Sequence, residues 1–287
     1  MPKHADLVRE ATKRYFDRID QLDPPVRPDS TPLSYETCPR IERVKWRTPF
    51  AEHQVRHELQ EVTNGLNRWW GSLRRWNAWV DVLDSFSGDE AWLIQWEFAE
   101  SVAFHCMFQP SATRDGLTLA TTNAVHQALL TDDASYQDRL DGEEIHEDGR
   151  QKILSRKRAE RRLADLILRF TSNSDYLEAL QRLDGPHYRE STANFRNQAS
   201  HAIAPRFAIG FKKIVGRTLK LGPNPYAPST ASHGRNAFHV QYEFGGTPPI
   251  SMRGAFEATL IEFKHALETF AAYQQLLCGI LERLPLA

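Results

Sequence analysis

The chain has 287 residues, enough for one large or two small domains around a sizeable core, and its 41% hydrophobic and 25% charged content is ordinary for a globular protein. No apolar run approaches the roughly 18–20 residues of a membrane span, and the first twenty residues are charged without a signal-peptide core, so a cytoplasmic location with no membrane partner is expected. The net charge is −1, and Cys38, Cys106 and Cys278 are widely spaced with no C-x-x-C, which argues against a disulfide framework or a zinc site.

Residues 3–22 read as a first helix with Leu7, Ala11, Phe16 and Ile19 on its apolar side. Pro24, Pro25, Pro28, Pro32 and Pro39 make 23–49 an extended connector, either wrapped on the body or tethering a separate N-terminal helix. Thr48-Pro49 reads as a threonine cap with proline in the first turn, opening a helix to about Asp84. Leu66, Trp69, Leu73, Trp76, Val80 and Leu83 step along it by three and four, and Trp92, Trp96, Ala99 and Ala103 begin a second stripe over 89–108. Six tryptophans fall between Trp69 and Trp96; their helical spacing points to core rather than to base stacking.

Gln109-Pro110 predicts a break, and then a helix over 116–131 with Leu117, Ala120, Ala124, Ala128 and Leu129 inward. Residues 132–149 are acidic, with Gly142 and Gly149, and read as a mobile loop or a domain boundary. From Arg150 the chain is helical again, with Leu163, Leu166, Ile167 and Phe170 on one face and arginines on the others. Ser172-Asn173-Ser174-Asp175 marks a break or new N-cap before a short helix to Leu183, and Gly185-Pro186 precedes a helix from near His187. Residues 226–235 read as loop, 237–244 as β-prone alternation, and 253–284 as a long helix with a seven-residue rhythm from Phe256 to Leu284. The expected fold is mainly α, a helical bundle with a small strand or hairpin excursion near 236–252. Its regions are 1–149, N-terminal and helical with the 23–49 connector, and 150–287, helical and motif-bearing, or one continuous domain.

Charge is uneven along the chain. Residues 150–222 hold sixteen Lys or Arg against six Asp or Glu, whereas 1–149 hold sixteen against twenty-six. Either the basic stretch presents a polyanion-binding surface, or the two parts neutralise each other across a packed interface.

Within the basic stretch lies Phe195-Arg196-Asn197-Gln198-Ala199-Ser200-His201, continuing as Ala202-Ile203-Ala204-Pro205. Pro205 lacks the N–H that would bond the His201 carbonyl, so a helix here should kink or end just after His201. Four residues separate Arg196 from His201, which an ideal helix sets about 140° apart. A cation, an amide and an imidazole suit phosphodiester chemistry: imidazoles move protons near neutral pH, and a guanidinium stabilises charge on phosphorus.

The segment resembles the R-x(4–6)-H motif of HEPN-domain proteins, including the polar residue directly after the Arg. That resemblance implies an all-α bundle and a metal-independent endoribonuclease with a composite site at a homodimer interface. His201 would be general base or acid for attack of a ribose 2′-OH on phosphorus, Arg196 would hold the phosphate, and Asn197 would orient the backbone or the His. The products would carry 2′,3′-cyclic phosphate, and no cofactor or metal is implied. Expected partners are RNA, a second copy of the chain, and a partner protein of the toxin–antitoxin or defence type. The matched region is short, about 187–222 with its flanking helices; residues 1–149 match nothing in the motif.

Other constellations are weaker. His53 and His57 sit four apart, as two metal-binding imidazoles would, but without the Glu of H-E-x-x-H. His105-Cys106 reads as packing, and His233 and His239 as surface residues. No phosphate-binding glycine loop or nucleophile elbow is present. The alternative to the ribonuclease is a non-catalytic helical module that binds a nucleotide or a protein; a metal-dependent bundle enzyme is a third reading.

Overall fold

The computed structural model describes residues 4–22, 33–35, 39–150, 152–172, 175–207, 215–222, 238–244 and 249–287. The expected loop at 226–235 and His233 fall outside them, as does most of the 23–38 part of the proline-rich connector.

Three long helices build the body: α2 (Ala51–Leu83), α4 (Glu100–Asp132) and α9 (Met252–Leu281). α4 packs against both α2 and α9, and the buried side chains of all three belong to one core cluster. At about 1.5 Å per residue each helix spans roughly 45–50 Å, which suits bundle packing along their lengths. The predicted stripes supply this core: Leu66, Trp69, Leu73, Trp76 and Val80 of α2 are buried, and so are Phe256, Phe263, Phe270 and Leu277 of α9. Trp70 stacks on Phe263 at 5.5 Å, and Trp76 meets Phe256 edge-on at 5.6 Å. Buried aromatic pairs of this geometry add about 0.5–1.5 kcal/mol beyond their area burial. The Trp76 indole N–H also contacts Met252 Sδ at 3.1 Å.

The first helix, α1 (His4–Gln21), lies on α2. Its inward aromatic is Tyr15, stacked on Trp79 at 4.5 Å, while Phe16 is exposed. Phe16 is nine residues after Leu7, which at about 100° per residue places it on the opposite side of the helix. Thr48 does not cap α2: its hydroxyl bonds Gln127 of α4, and the helix starts after Phe50, a left-handed residue at φ 68°.

After α3 (Gly88–Ile94) a π-helical turn over Gln95–Ala99 leads into α4. The wider turn rotates the face of α3 relative to that of α4. Ala99 and Ala103 are therefore buried, but Trp92 and Trp96 are 46% and 59% exposed and stack on each other at 5.9 Å. Two of the six tryptophans expected in the core thus stand outside it. Pro110 does not break α4 either; the proline is buried inside a continuous 33-residue helix. It forfeits one bond to the Cys106 carbonyl, and burial on both sides, by Ala103, Cys106 and Met107 and by Leu117, Ala124 and Ala128, holds the two halves as one helix.

The acidic segment after α4 is anchored by Leu140, which is buried, and by His126, whose ring nitrogens contact the Tyr136 hydroxyl at 2.9 Å and Asp138 at 2.8 Å. Then come α5 (Arg156–Ile167), packed on α4, and α6 (Asp175–Arg182), packed on α9. The helix expected from His187 onward is two short ones, α7 (Pro186–Ser191) and α8 (Phe195–His201).

One strand lies where the alternation placed it, β2 (Phe238–Phe244), and its antiparallel partner β1 (Val215–Leu221) comes from upstream of the expected 236–252 window. The register pairs Val215 with Phe244, Arg217 with Tyr242, Leu219 with Val240 and Leu221 with Phe238. Since side chains alternate along a strand, these eight residues share one face. In the chain, both strands fall between Phe207 and Ile250, which form a parallel bridge. No helix among the described residues is long and apolar enough to cross a membrane.

Candidate functional site

The site is organised at the turn between α6 and α7. Asp184 is buried in a left-handed conformation, φ 52°, which Asp adopts more readily than most residues. Gly185 comes next because a Cβ there would lie 2.8 Å from the Arg182 carbonyl oxygen. Pro186 then supplies the preset φ of a first helical residue. The Asp184 N–H donates to Glu262 of α9 at 2.8 Å, while its carboxylate accepts from Arg156 at 2.6 Å and from Arg189 at 2.9 Å. Burial pushes the Glu262 carboxyl above its ordinary range, against the pull of that N–H.

Arg156 is saturated by protein groups. Beyond Asp184 it makes a two-pronged pair with Asp115, at 2.7 and 2.8 Å, and bonds the Ser111 hydroxyl at 2.5 Å. Burial disfavours its cation, but the hydrogen bonds to Asp115 and Asp184 outweigh that and raise its pKa. Tyr188 of α7 is pinned in the core, donating to the Met107 carbonyl at 3.2 Å and lying 3.3 Å from the Thr259 hydroxyl. Its burial pushes the phenol's pKa up.

Between α7 and α8 the chain reverses through Ala193 and Asn194, both with positive φ, 49° and 51°. The Asn194 N–H reaches back to the Arg189 carbonyl at 2.5 Å. This double left-handed step separates the expected single helix into two and drives Phe195 inward, edge-on to Phe104 at 4.5 Å and beside Phe207 at 5.6 Å. With Phe195 fixed, the next residue, Arg196, is directed at the surface.

Arg196 is half-buried and lines a cleft of about 700 Å³ together with Lys152, Arg156, Arg162 and Arg189; among the described residues Asp115 is the one acid on its wall. Leu119, Ile153 and Leu154 supply an apolar side. The cations differ in how far they are engaged. Lys152 pairs with Glu144 at 2.7 Å, and Arg189 pairs with Asp184. Arg162 donates to the Asp141 carbonyl at 3.3 Å, while its Nε is buried with no hydrogen-bond acceptor among the described residues. Arg196 makes no hydrogen bond or ion pair among the described residues, so its charge is available to an anion in the cleft. Arg196 and Asn197 also line an adjoining hollow of about 170 Å³ with Asp184, Arg189 and Asn194.

α8 ends at His201, where Pro205 led us to expect it. The His201 ring is exposed and lines neither the cleft nor the hollow. Arg196 and Asn197 are thus brought together, and His201 stands apart from them at the far end of the helix. His239 lies on β2, its Nδ1 3.1 Å from the Gly222 carbonyl oxygen. His57 is exposed and His53 Nδ1 lies 3.1 Å from Arg56; no cluster of three or more His, Cys, Asp or Glu among the described residues is arranged to hold a metal. Cys106 is buried and its thiol is pushed up by that burial, as packing requires.

Sequence reasoning missed Asp184, and it counted Arg156 and Arg162 only as outward charge. A signal for Asp184 was present: an Asp directly before Gly-Pro, between two helices, is suited to a reversed turn. Compared with models of protein families, with curated proteins and with solved structures, the chain matches none.

Proposed function

We propose that the chain is a HEPN-like endoribonuclease that needs no metal, acting as a homodimer through Arg196, Asn197 and His201. What supports this most is Arg196 itself: a guanidinium with no protein counter-charge among the described residues, in a cleft of about 700 Å³ with four further cations. Such a cleft attracts a phosphodiester, and a free guanidinium stabilises the charge that builds on phosphorus.

In this reading His201 takes the proton of a ribose 2′-OH, whose oxygen attacks the adjacent phosphorus. The 5′-oxygen leaves with a proton, giving a 2′,3′-cyclic phosphate and a 5′-hydroxyl end. Within one copy His201 lies outside the cleft, so the acid–base pair is completed by a second copy, with the two α8 helices meeting across a two-fold axis. A two-fold interface is self-complementary by construction, and Ser200, His201 and Ala202 offer a small, exposed patch for it.

The position of His201 also favours a second reading, a non-catalytic module that binds a nucleotide or a protein in the cleft. The test is incubation of end-labelled single-stranded RNA with wild type, Arg196→Ala and His201→Ala in EDTA, with analysis of product ends. Cleavage by wild type to cyclic-phosphate ends, lost in both variants, supports the ribonuclease. Binding without cleavage supports the module.

A further inference from the structure

The β1–β2 hairpin carries a feature that the Arg196 cleft does not use. Phe238, Tyr242 and Phe244 lie on one face of it and are 66%, 68% and 91% exposed. Arg217 is directly opposite Tyr242 on the same face. No described residue packs over these rings. An isolated two-stranded hairpin is marginal in water, so an exposed aromatic face on one calls for an occupant.

Charge narrows the occupant. From Arg206 to Ile250 the chain has six Lys or Arg and a single acid, Glu243, and Glu243 is already engaged by Lys220 at 3.5 Å. A second copy stacked on the face through a two-fold axis would bring Arg217 toward its own copy, with no acid among the described residues of the face to offset the repulsion. A polyanion with flat apolar groups fits both properties. Single-stranded nucleic acids are bound in this way, with bases stacked on aromatic rings and cations on the backbone. At about 3.4 Å per residue, Phe238 to Phe244 spans roughly 20 Å, room for a few splayed bases.

We propose that this face is a stacking platform for single-stranded RNA, with Phe238, Tyr242 and Phe244 taking the bases and Arg217 assisting at Tyr242. The proposal rests on the ribonuclease reading and deepens it: the substrate is unpaired RNA, delivered by the hairpin to the α8 cleft. Phe207, the last described residue before β1, packs on Phe195, the first residue of α8, and this supports the delivery.

The experiment is fluorescence anisotropy of the full chain with a labelled 20-nucleotide single-stranded RNA and with a duplex of the same length. Wild type is compared with Tyr242→Ala, Phe244→Ala and the ring-preserving Tyr242→Phe, thermal melts serving as the folding control. Each Ala variant is expected to weaken single-strand binding about 5- to 150-fold, the range of one lost base stack, with little effect on duplex and with wild-type affinity in Tyr242→Phe. Unchanged single-strand binding in both Ala variants overturns the platform and leaves the ribonuclease reading standing. A wild type that binds no RNA overturns both. A lower melting temperature in the Ala variants with unchanged RNA affinity overturns the platform in favour of cover by another segment of this chain. Loss of self-association in sedimentation, or of binding to phosphatidylserine vesicles, without loss of RNA affinity overturns it in favour of a second copy or a lipid surface.

Discussion

Arg156 and Asp184 meet at 2.6 Å, Nη1 to Oδ2, joining a side chain of the large cleft to one of the adjoining hollow. Because Arg189 shares the same carboxylate, one buried acid sets the position of two of the cleft's five cations. Its own backbone N–H is fixed by Glu262, so the long helix α9 positions the turn that positions the cations.

Asp184→Asn should therefore loosen the cleft from outside it. Two guanidiniums exchange a shared carboxylate for a neutral amide with one acceptor oxygen, and Arg156 retains only Asp115 and Ser111 as full partners. A stability loss of about 1–3 kcal/mol is expected, the cost of leaving buried donors short of a partner, measured by urea unfolding. RNA affinity should fall with it. Unchanged stability would show that the Arg156–Asp115 pair alone holds this wall.

Phe195→Ala tests the other support of Arg196. Phe195 is buried against Phe104, Phe108 and Phe207, and large-to-small changes of this kind cost about 3–5 kcal/mol. A chemical-denaturation difference below about 1 kcal/mol would mean that α8 does not depend on this cluster.

Salt dependence reads the number of phosphate contacts. For single strands each neutralised phosphate contributes about 0.7 to the slope of log affinity against log salt. Arg196→Ala and Arg162→Ala should each reduce the slope by about that amount, because these are the least engaged cleft cations. Lys152→Ala should change it less, since Lys152 already faces Glu144. Equal slopes in wild type and the two Arg variants would remove the cleft as the phosphate site.

Oligomeric state is tested separately. Sedimentation at roughly tens of micromolar, a concentration that populates interfaces of moderate affinity, should give a dimer. Ser200→Glu, on the exposed end of α8, should shift it to monomer with cleavage lost and folding intact. A wild-type monomer under these conditions would sink the composite site.

Glu58 gives a pH-dependent stability outcome. Burial raises its carboxyl above the ordinary 4.5, while hydrogen bonds from Asn123 and Gln54 pull the other way. A carboxyl whose folded pKa is raised holds its proton more tightly in the folded state. Its favourable contribution is thus full below about pH 4.5 and is lost as pH rises through the folded value. Glu58→Gln should raise the melting temperature near pH 7 and lose that advantage toward pH 4, in melts across this range.

The helical stripes were legible from residue spacing alone, because burying one face of a helix imposes a three-and-four rhythm on its apolar residues. Leu66 to Val80, Leu163 to Phe170 and Phe256 to Leu277 all lie where that rhythm put them. Pro205 likewise ended α8 at His201, since a missing N–H acts through the local backbone alone. Misreadings arose where tertiary packing, a distant partner or a turn that departs from the ideal helix intervened. Packing on both sides carried α4 through Pro110, a π turn rotated Trp92 and Trp96 out of the core, and Gln127 engaged the hydroxyl expected to cap α2. The site divides in the same way. Arg196, Asn197 and His201 were recognisable as a motif, but the cleft around Arg196 draws on α4, α5, α7 and the loop after α4, residues far apart in the chain. Only folding brings Arg156, Asp115 and Asp184 within hydrogen-bonding distance, and spacing along a chain carries no record of which helix a charge will face.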